Sequence, residues 1–504
     1  MINDYESTMI SIVIYFQFIF IFLLMCSFVS SILLIVNNAL LVFKYEWYLF
    51  IGNIKFILIY ILCFVSLLNL FIICYLYLSV YNKEFDILTT VYHRQLFVFL
   101  FTESLVFSIN DLALVIFMLT GLLYPVILIL MQYDFSGKYY RYFSLMIWLY
   151  FIIYIFIFSA DIIIFYLAYE LIICLVFCIM YYTSSSRGSI EAVLFFLGWA
   201  IIGSFCLGIA VIYIVVVGRV RYFDIIFYTC FSANERYFLY WLIFFGFGTK
   251  LSIWPFWYWL PRAHVEVSTG MSIFLSCILI KICFFGLIKM YMIVGGEVLI
   301  LPFLFCAGMG VFDLTSRLLI QVDLKAITAY SSVLHINLFI ILFLLDTNIL
   351  NSGLVLYIWG HSYATAGMFF SINLIERCCG TRLTFELSGV YNSNPIVGLI
   401  TLTAVIGFLE FPLSFFFWGE LWLWILILES FPLLVILLML FSVLCYIIIF
   451  FRLWWCVLFG GPVHFTVKPF NNLIIDDIFI AVYLISFQYI VGIQPNILCW
   501  YSLS

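Results

Sequence analysis

Residues 162–180, IIIFYLAYELIICLVFCIM, carry one charged group, Glu170, in a stretch that is otherwise apolar or weakly polar. Runs of this kind recur along the whole chain, and a membrane helix needs about 20 mostly apolar residues. By that measure the candidates are roughly 9–35, 54–79, 110–131, 142–158, 160–182, 190–217, 238–260, 266–293, 297–316, 324–345, 350–374, 394–411, 413–429, 432–459 and 475–495. This predicts about fourteen transmembrane helices, with 394–429 open to being one broken helix. In hydrocarbon every backbone N–H and C=O must be bonded within the protein, which leaves helices and closed barrels. The runs are too long, and alternate too little, for barrel strands. The fold class expected is an all-α polytopic membrane protein. Composition agrees: 9% of residues are charged, where a soluble domain carries about 25%. The stretch 83–107 is too mixed to span and is expected at an interface.

The exceptions to apolarity are where function should lie. An ionisable group at bilayer depth costs roughly 3 kcal/mol or more, so such groups face the bundle interior or water and mark ion paths. Glu170 and Lys250 are isolated charges of opposite sign. Lys250 precedes Pro255, and proline removes a helix bond and breaks or kinks the helix. Lys281 sits deep in FLSCILIKICFFGLIKM, whereas Lys289 in the same run is expected to snorkel to the interface. His335 and His361, two of only five histidines, fall in consecutive helices with Ser331, Ser332, Ser362 and Thr365. Imidazole passes protons through either nitrogen, so these two read as a wet polar track. Glu420 follows Pro412 in a second interrupted helix. Broken helices in each half point to two inverted repeats with a site at their interface. Lys325 with Asp323 is expected to act as a charge pair at the membrane surface. Glu103, Asp111, Asp161, Asp313, Glu410 and Arg452 are expected to cap or anchor helix ends.

Several function classes are excluded by what the chain lacks. Net charge is −5 with no basic tract, so no nucleic-acid partner is expected. The 15 cysteines form no CxxC pair, and no GxGxxG follows a strand, so no metal, iron–sulfur, flavin or nicotinamide site is expected in this chain. No HxxxxD or aspartate-rich cluster suggests a membrane transferase. The amino terminus has Asp4 and Glu6 but no Lys or Arg before the first apolar run. It fits neither a secretory signal nor a transit peptide, and co-translational insertion is expected.

Four stretches carry a family resemblance. WLPRAHVEV (Trp259–Val267) resembles the WLPKAHVEAP signature of the antiporter-like, proton-pumping membrane subunits of respiratory complex I. DLKAITAYSSVLHINL (Asp323–Leu338) is similar to that family's DLKxxIAYSSVSHM stretch. GHSYATAGMFFSINLIERCCGTR (Gly360–Arg382) and FPLSFFFWGEL (Phe411–Leu421) resemble its following two segments. The AHVE form and Glu420, where sister subunits carry lysine, resemble the subunit 4 branch. The likeness covers roughly 110–430. There are departures: Ser252 stands where the family has a proline two residues after its lysine, EVS replaces EAP, and Trp257 replaces a histidine.

The resemblance implies a role for each isolated charge. Lys250 corresponds to the pumping lysine, Glu170 to the glutamate that modulates it, and Lys281 to the lysine of the next helix. His335 and His361 correspond to the linking histidines and Glu420 to the terminal ionisable group. It also implies a chain in three parts: amino-terminal helices and a variable extension (1–109), a proton-translocating core (110–430) and carboxy-terminal helices (431–504). The implied setting is the mitochondrial inner membrane, within an NADH:ubiquinone oxidoreductase whose NADH, FMN, iron–sulfur clusters and ubiquinone are held by other subunits. Neighbouring antiporter-like subunits and lipids such as cardiolipin would be its partners. The alternative is a subunit of a multi-subunit Mrp-type cation/proton antiporter.

Overall fold

The computed structural model describes residues 98–99, 106–107, 111–134, 139–184, 186–219, 221–223, 231–294, 300–345, 352–430, 454–461 and 475–493. The expected helices at 9–35 and 54–79, most of 432–459, and Glu103 and Arg452 lie outside these. Within 83–107 the described backbone is extended: β1 (Val98–Phe99) and β2 (Val106–Phe107) pair antiparallel, Val98 opposite Phe107. Everything larger among the described residues is helical. In order come α1 (Asp111–Asp134), α2 (Tyr139–Phe158), α3 (Ile162–Thr183), α4 (Arg187–Gly218) and α5 (Ala233–Leu251). After a break follow α6 (Trp259–Glu266), α7 (Thr269–Phe274) and α8 (Ile280–Val294). Then come α9 (Ile300–Leu318), α10 (Leu324–Leu345), α11 (Ser352–Cys379), α12 (Pro395–Phe408), α13 (Phe415–Ser430) and α14 (Ile475–Ile493). Six of the described spans are long and apolar enough to cross a bilayer, including Leu112–Met131, Thr269–Met292 and Leu324–Leu345.

Position in the bundle follows from how much of each helix is buried. The Thr269–Met292 span is wholly buried in the protein, whereas Arg187–Gly218 is only one-third buried. The outer surface of α4 presents Ile201, Ile202, Phe205 and Ile212, the face that lipid covers. The Thr269–Val294 rod is therefore the axis, with α1, α5 and α11 among the elements around it. Its helical winding widens at Leu275–Leu279, a π-segment. Such segments re-aim the side chains that follow and are common at functional sites.

Both expected helix breaks are present. The first begins at Ser252, whose φ is +54°, and includes the cis Trp254–Pro255 peptide and a 3₁₀ turn at Phe256–Tyr258. The helix thus ends earlier than 260, because the backbone turns left-handed three residues before the proline. The carbonyls released there are recaptured: Gly248 O accepts from Ile253 N–H at 3.0 Å and Thr249 O from the Trp259 indole at 2.6 Å. Trp257, in place of the family's histidine, donates to Asp313 at 3.1 Å and ties the break to α9. The second break separates α12 from α13, with Glu410 at φ +56° and Leu413 at +83°.

The DLK run (Asp323–Lys325) caps α6. Lys325 is 2% exposed and its ammonium donates to Val267 O, so it is buried structure and not a surface anchor. Asp323 accepts from Arg382, which also donates to Val265 O at 3.0 Å. Two cations thereby satisfy carbonyls at the end of a half-helix, where no helical donors remain. Asp161 does cap α3, accepting from Ile163 N–H and pairing with Arg221 at 2.9 Å. Lys289 does not snorkel: it is buried, donates to Ser159 O at 2.6 Å and sits 4.3 Å from the Phe223 ring.

Helices α11 and α13 approach with glycine on both sides. A Cβ at Gly360 would lie 2.6 Å from Phe416 Cα, and one at Gly419 would lie 2.5 Å from Tyr357 Cα. Backbone faces backbone, so no flexible side chain can yield. Gly360→Val is expected to cost about 1–3 kcal/mol in folding, the usual penalty of an overpacked core. It should appear as a lower melting temperature and less chain in assembled membrane complexes on native gels. Wild-type melting would show that the two helices can move apart.

Candidate functional site

The six sequence-predicted residues fall into two clusters on opposite sides of α8. The first is built from α3, α4 and α5. Lys250 sits in the last turn of α5, one residue before Leu251 ends the helix. It is 4% exposed, and its ammonium rests 3.8 Å from the Tyr169 ring centre with no hydrogen-bonding protein partner. Glu170, next along α3, is half-buried and close enough to act electrostatically on Lys250, yet neither the Lys250 ammonium nor Glu170 Oε1 has a hydrogen-bond partner. The pair is thus separated but coupled, a geometry in which a small shift of either helix alters the interaction. Tyr169 reaches onward to Cys283 on α8, O–S 3.9 Å.

The second cluster is built from α8, α10, α11 and α13. Lys281, just past the π-segment, donates to Ser276 O at 2.8 Å and meets His361 Nδ1 at 2.6 Å. His361 and His335 face each other with ring centres 5.6 Å apart, and both are buried. The Tyr357 hydroxyl donates to His335 O at 3.2 Å and lies 3.5 Å from its Nδ1. A cavity of about 10 Å³ between Lys281, His335, Tyr357 and His361 has room for roughly one water molecule. Glu420, 8% exposed on α13, lies within electrostatic reach of Tyr357. From α8 to α13, then, amine, imidazole, imidazole, phenol and carboxyl follow one another through an otherwise apolar interior. Such a series can hold a proton and hand it on.

Three residues in or beside these clusters were not picked out from the sequence. Tyr169 and Tyr357 were hidden among 35 tyrosines. Glu410 was assigned to helix-end anchoring, but its side chain is 2% exposed and lies 3.3 Å from His335 Nδ1. Its place two residues before Pro412, inside a broken helix, was the available signal. His264 is another buried group, stacked on Phe369 at 5.1 Å, with neither ring nitrogen bonded to protein. A separate cleft of about 730 Å³ is lined by Glu191, Arg262, Glu266 and Asp323, among others, and opens to the surface.

The chain is similar to known proteins both in sequence and in fold. NADH-ubiquinone oxidoreductase chain 4 of Paramecium tetraurelia is 33% identical over 268 residues, covering 52% of this chain and 56% of that protein. The Acanthamoeba castellanii protein of the same name is 29% identical over 345 residues, covering 67% and 68%. The chain thus spans between half and about two thirds of the length of these relatives. A chain in respiratory complex I from Thermus thermophilus with bound NADH superposes with a TM-score of 0.74 at 16% identity, covering 87% of this chain and 91% of that one. The family described as NADH:quinone oxidoreductase/Mrp antiporter, transmembrane, matches residues 159–446, which include all six candidate positions and both helix breaks. On a match spanning more than half its length, the chain belongs to the NADH:quinone oxidoreductase/Mrp antiporter transmembrane family.

Proposed function

We propose that this chain is the subunit 4-type, proton-translocating membrane subunit of a mitochondrial NADH:ubiquinone oxidoreductase. One observation carries the reading: the Lys281–His361 contact at 2.6 Å joins a lysine to a histidine pair in a membrane interior. A purely structural helix bundle gains nothing from burying those groups, since apolar residues of similar size would pack as well. The residues that would move protons are Glu170, Lys250, Lys281, His361, His335 and Glu420, within a core spanning 110–430.

In this reading Lys250 holds a proton while Glu170 is near and releases it when Glu170 withdraws. The Coulomb energy of a unit-charge pair is about 4 kcal/mol at 4 Å with an effective dielectric of 20, and half that at twice the distance. A change of roughly 2 kcal/mol shifts proton occupancy more than tenfold. The proton lost by Lys250 would reach Lys281 across the flank of α8, then pass through His361 and His335 to Glu420. Electron transfer belongs to partner subunits, which carry NADH, FMN, the iron–sulfur clusters and ubiquinone. Other antiporter-like subunits would flank the chain in the inner membrane, with lipids such as cardiolipin filling the seams.

Mild-detergent extraction, native electrophoresis and an in-gel NADH oxidation stain test this assignment. The chain is expected in a very large band that stains for NADH oxidation. A smaller, unstained band would overturn the reading and favour an Mrp-type cation/proton antiporter, whose family these helices share. Sodium flux would then be the property to measure.

A further inference from the structure

We propose that Glu410 is a second proton-holding carboxyl, paired with His335, so that the path through the histidines ends on two carboxyls instead of Glu420 alone. This rests on the proton-translocating reading above and extends it to a residue outside the expected series. The Glu410 and His335 side chains are 2% and 0% exposed, and their nearest polar atoms, Oε1 and Nδ1, are 3.3 Å apart. Neither carboxyl oxygen of Glu410 has a hydrogen-bonding partner. A carboxyl held in that state is expensive unless it is neutral or shares a charge with a neighbour. Its neighbour here is an imidazole that can supply a proton.

The backbone supplies a second, independent observation. Glu410 adopts φ +56° in the break between α12 and α13. Left-handed backbone at a residue with a Cβ costs about 1–3 kcal/mol, and such residues cluster at functional sites. An anchoring carboxylate would point to the headgroups and need no such geometry. The break instead turns Glu410 inward, onto a histidine walled by Phe408 at 5.6 Å and Phe416 at 5.0 Å. The other titratable groups around His335 are Tyr357, His361 and Lys281, with Glu420 beyond Tyr357.

The transfer balances without any other reactant. The Nδ1–H bond of protonated His335 breaks and an O–H bond forms on Glu410 Oε1, leaving a neutral imidazole and a neutral carboxylic acid. The reverse step recharges His335. Glu410 lies within the break and Glu420 on α13 beyond it, so a shift of α13 against α12 would change which carboxyl His335 serves.

The test uses assembled complex in proteoliposomes, comparing Glu410→Gln, Glu410→Asp and Lys250→Ala with wild type. Protons moved per NADH oxidised are the readout, with NADH oxidation by an artificial acceptor as the control. Glu410→Gln is expected to keep acceptor activity and lower the proton yield several-fold, and Glu410→Asp to recover much of it. Combining Glu410→Gln with His335→Gln should lower the yield no further than His335→Gln alone, as for a step that passes through the histidine. A wild-type yield in Glu410→Gln with a lost yield in Lys250→Ala overturns the inference but leaves the assignment of the chain standing. A wild-type yield in Lys250→Ala as well overturns the assignment itself. Should Glu410→Gln fail to assemble, infrared difference spectra of wild type and Glu410→Asp decide. A shifted buried-carboxyl band supports a protonating Glu410, and an unshifted one overturns it.

Discussion

Lys250→Ala is expected to abolish most proton translocation in the assembled complex while leaving artificial-acceptor NADH oxidation at the wild-type rate. Lys250 is the cation at the end of a half-helix, and it is held by a ring face and the field of Glu170 instead of by hydrogen bonds. A group so loosely tied is suited to changing its proton occupancy. On the proposed reading, removing it deletes the switch and little packing. Lys250→Arg separates charge from titration: guanidinium keeps the charge but does not release its proton in proteins. Arginine is therefore expected to assemble and fail to pump. Proton uptake measured with a pH-sensitive dye in proteoliposomes checks both variants, and normal uptake in either would remove Lys250 from the path.

Lys281→Met should be nearly as damaging to pumping, and for a different reason. The amine bridges Ser276 O at 2.8 Å and His361 Nδ1 at 2.6 Å, so it is the bond between the central rod and the histidine pair. Methionine fills similar space without a buried charge. Replacing a buried ion with an apolar residue is often neutral or stabilising, and assembly should hold. Positioned proton transfer typically contributes 100-fold or more to a rate, so the pumping step is expected to slow by about that factor. Pairing Lys281→Met with His361→Gln should give no larger loss than either alone. Additive losses would mean that the two residues serve separate routes.

The burial of Lys325 changes how its motif is understood. The DLK run reads as a charge pair at the membrane surface, yet its contacts are to Val267 O and, through Asp323 and Arg382, to Val265 O. Its work is to close the end of α6. Carbonyls released by a broken helix at membrane depth must find donors. The motif therefore supports the site by holding the half-helix in place.

Much about this protein was decided by its sequence alone. Long apolar runs in a chain with 9% charge leave only a helical membrane bundle, because unbonded backbone is prohibitive in hydrocarbon. The same cost makes Glu170, Lys250, Lys281, His335, His361 and Glu420 stand out, each against an apolar background. Pro255 and Pro412 marked both breaks. What required tertiary structure was which of these groups meet, and on which side of a helix each one lies. The π-segment at Leu275–Leu279 directs Lys281 onto His361, and no local pattern announces it. Glu410 and Lys289 read as end-of-helix charges because hydropathy measures depth along one helix. Only the packing of α10 against the α12–α13 break, and of α8 against the start of α3, turns those charges inward. Burial of a side chain is a property of neighbours distant in sequence, and those neighbours exist only in the folded bundle.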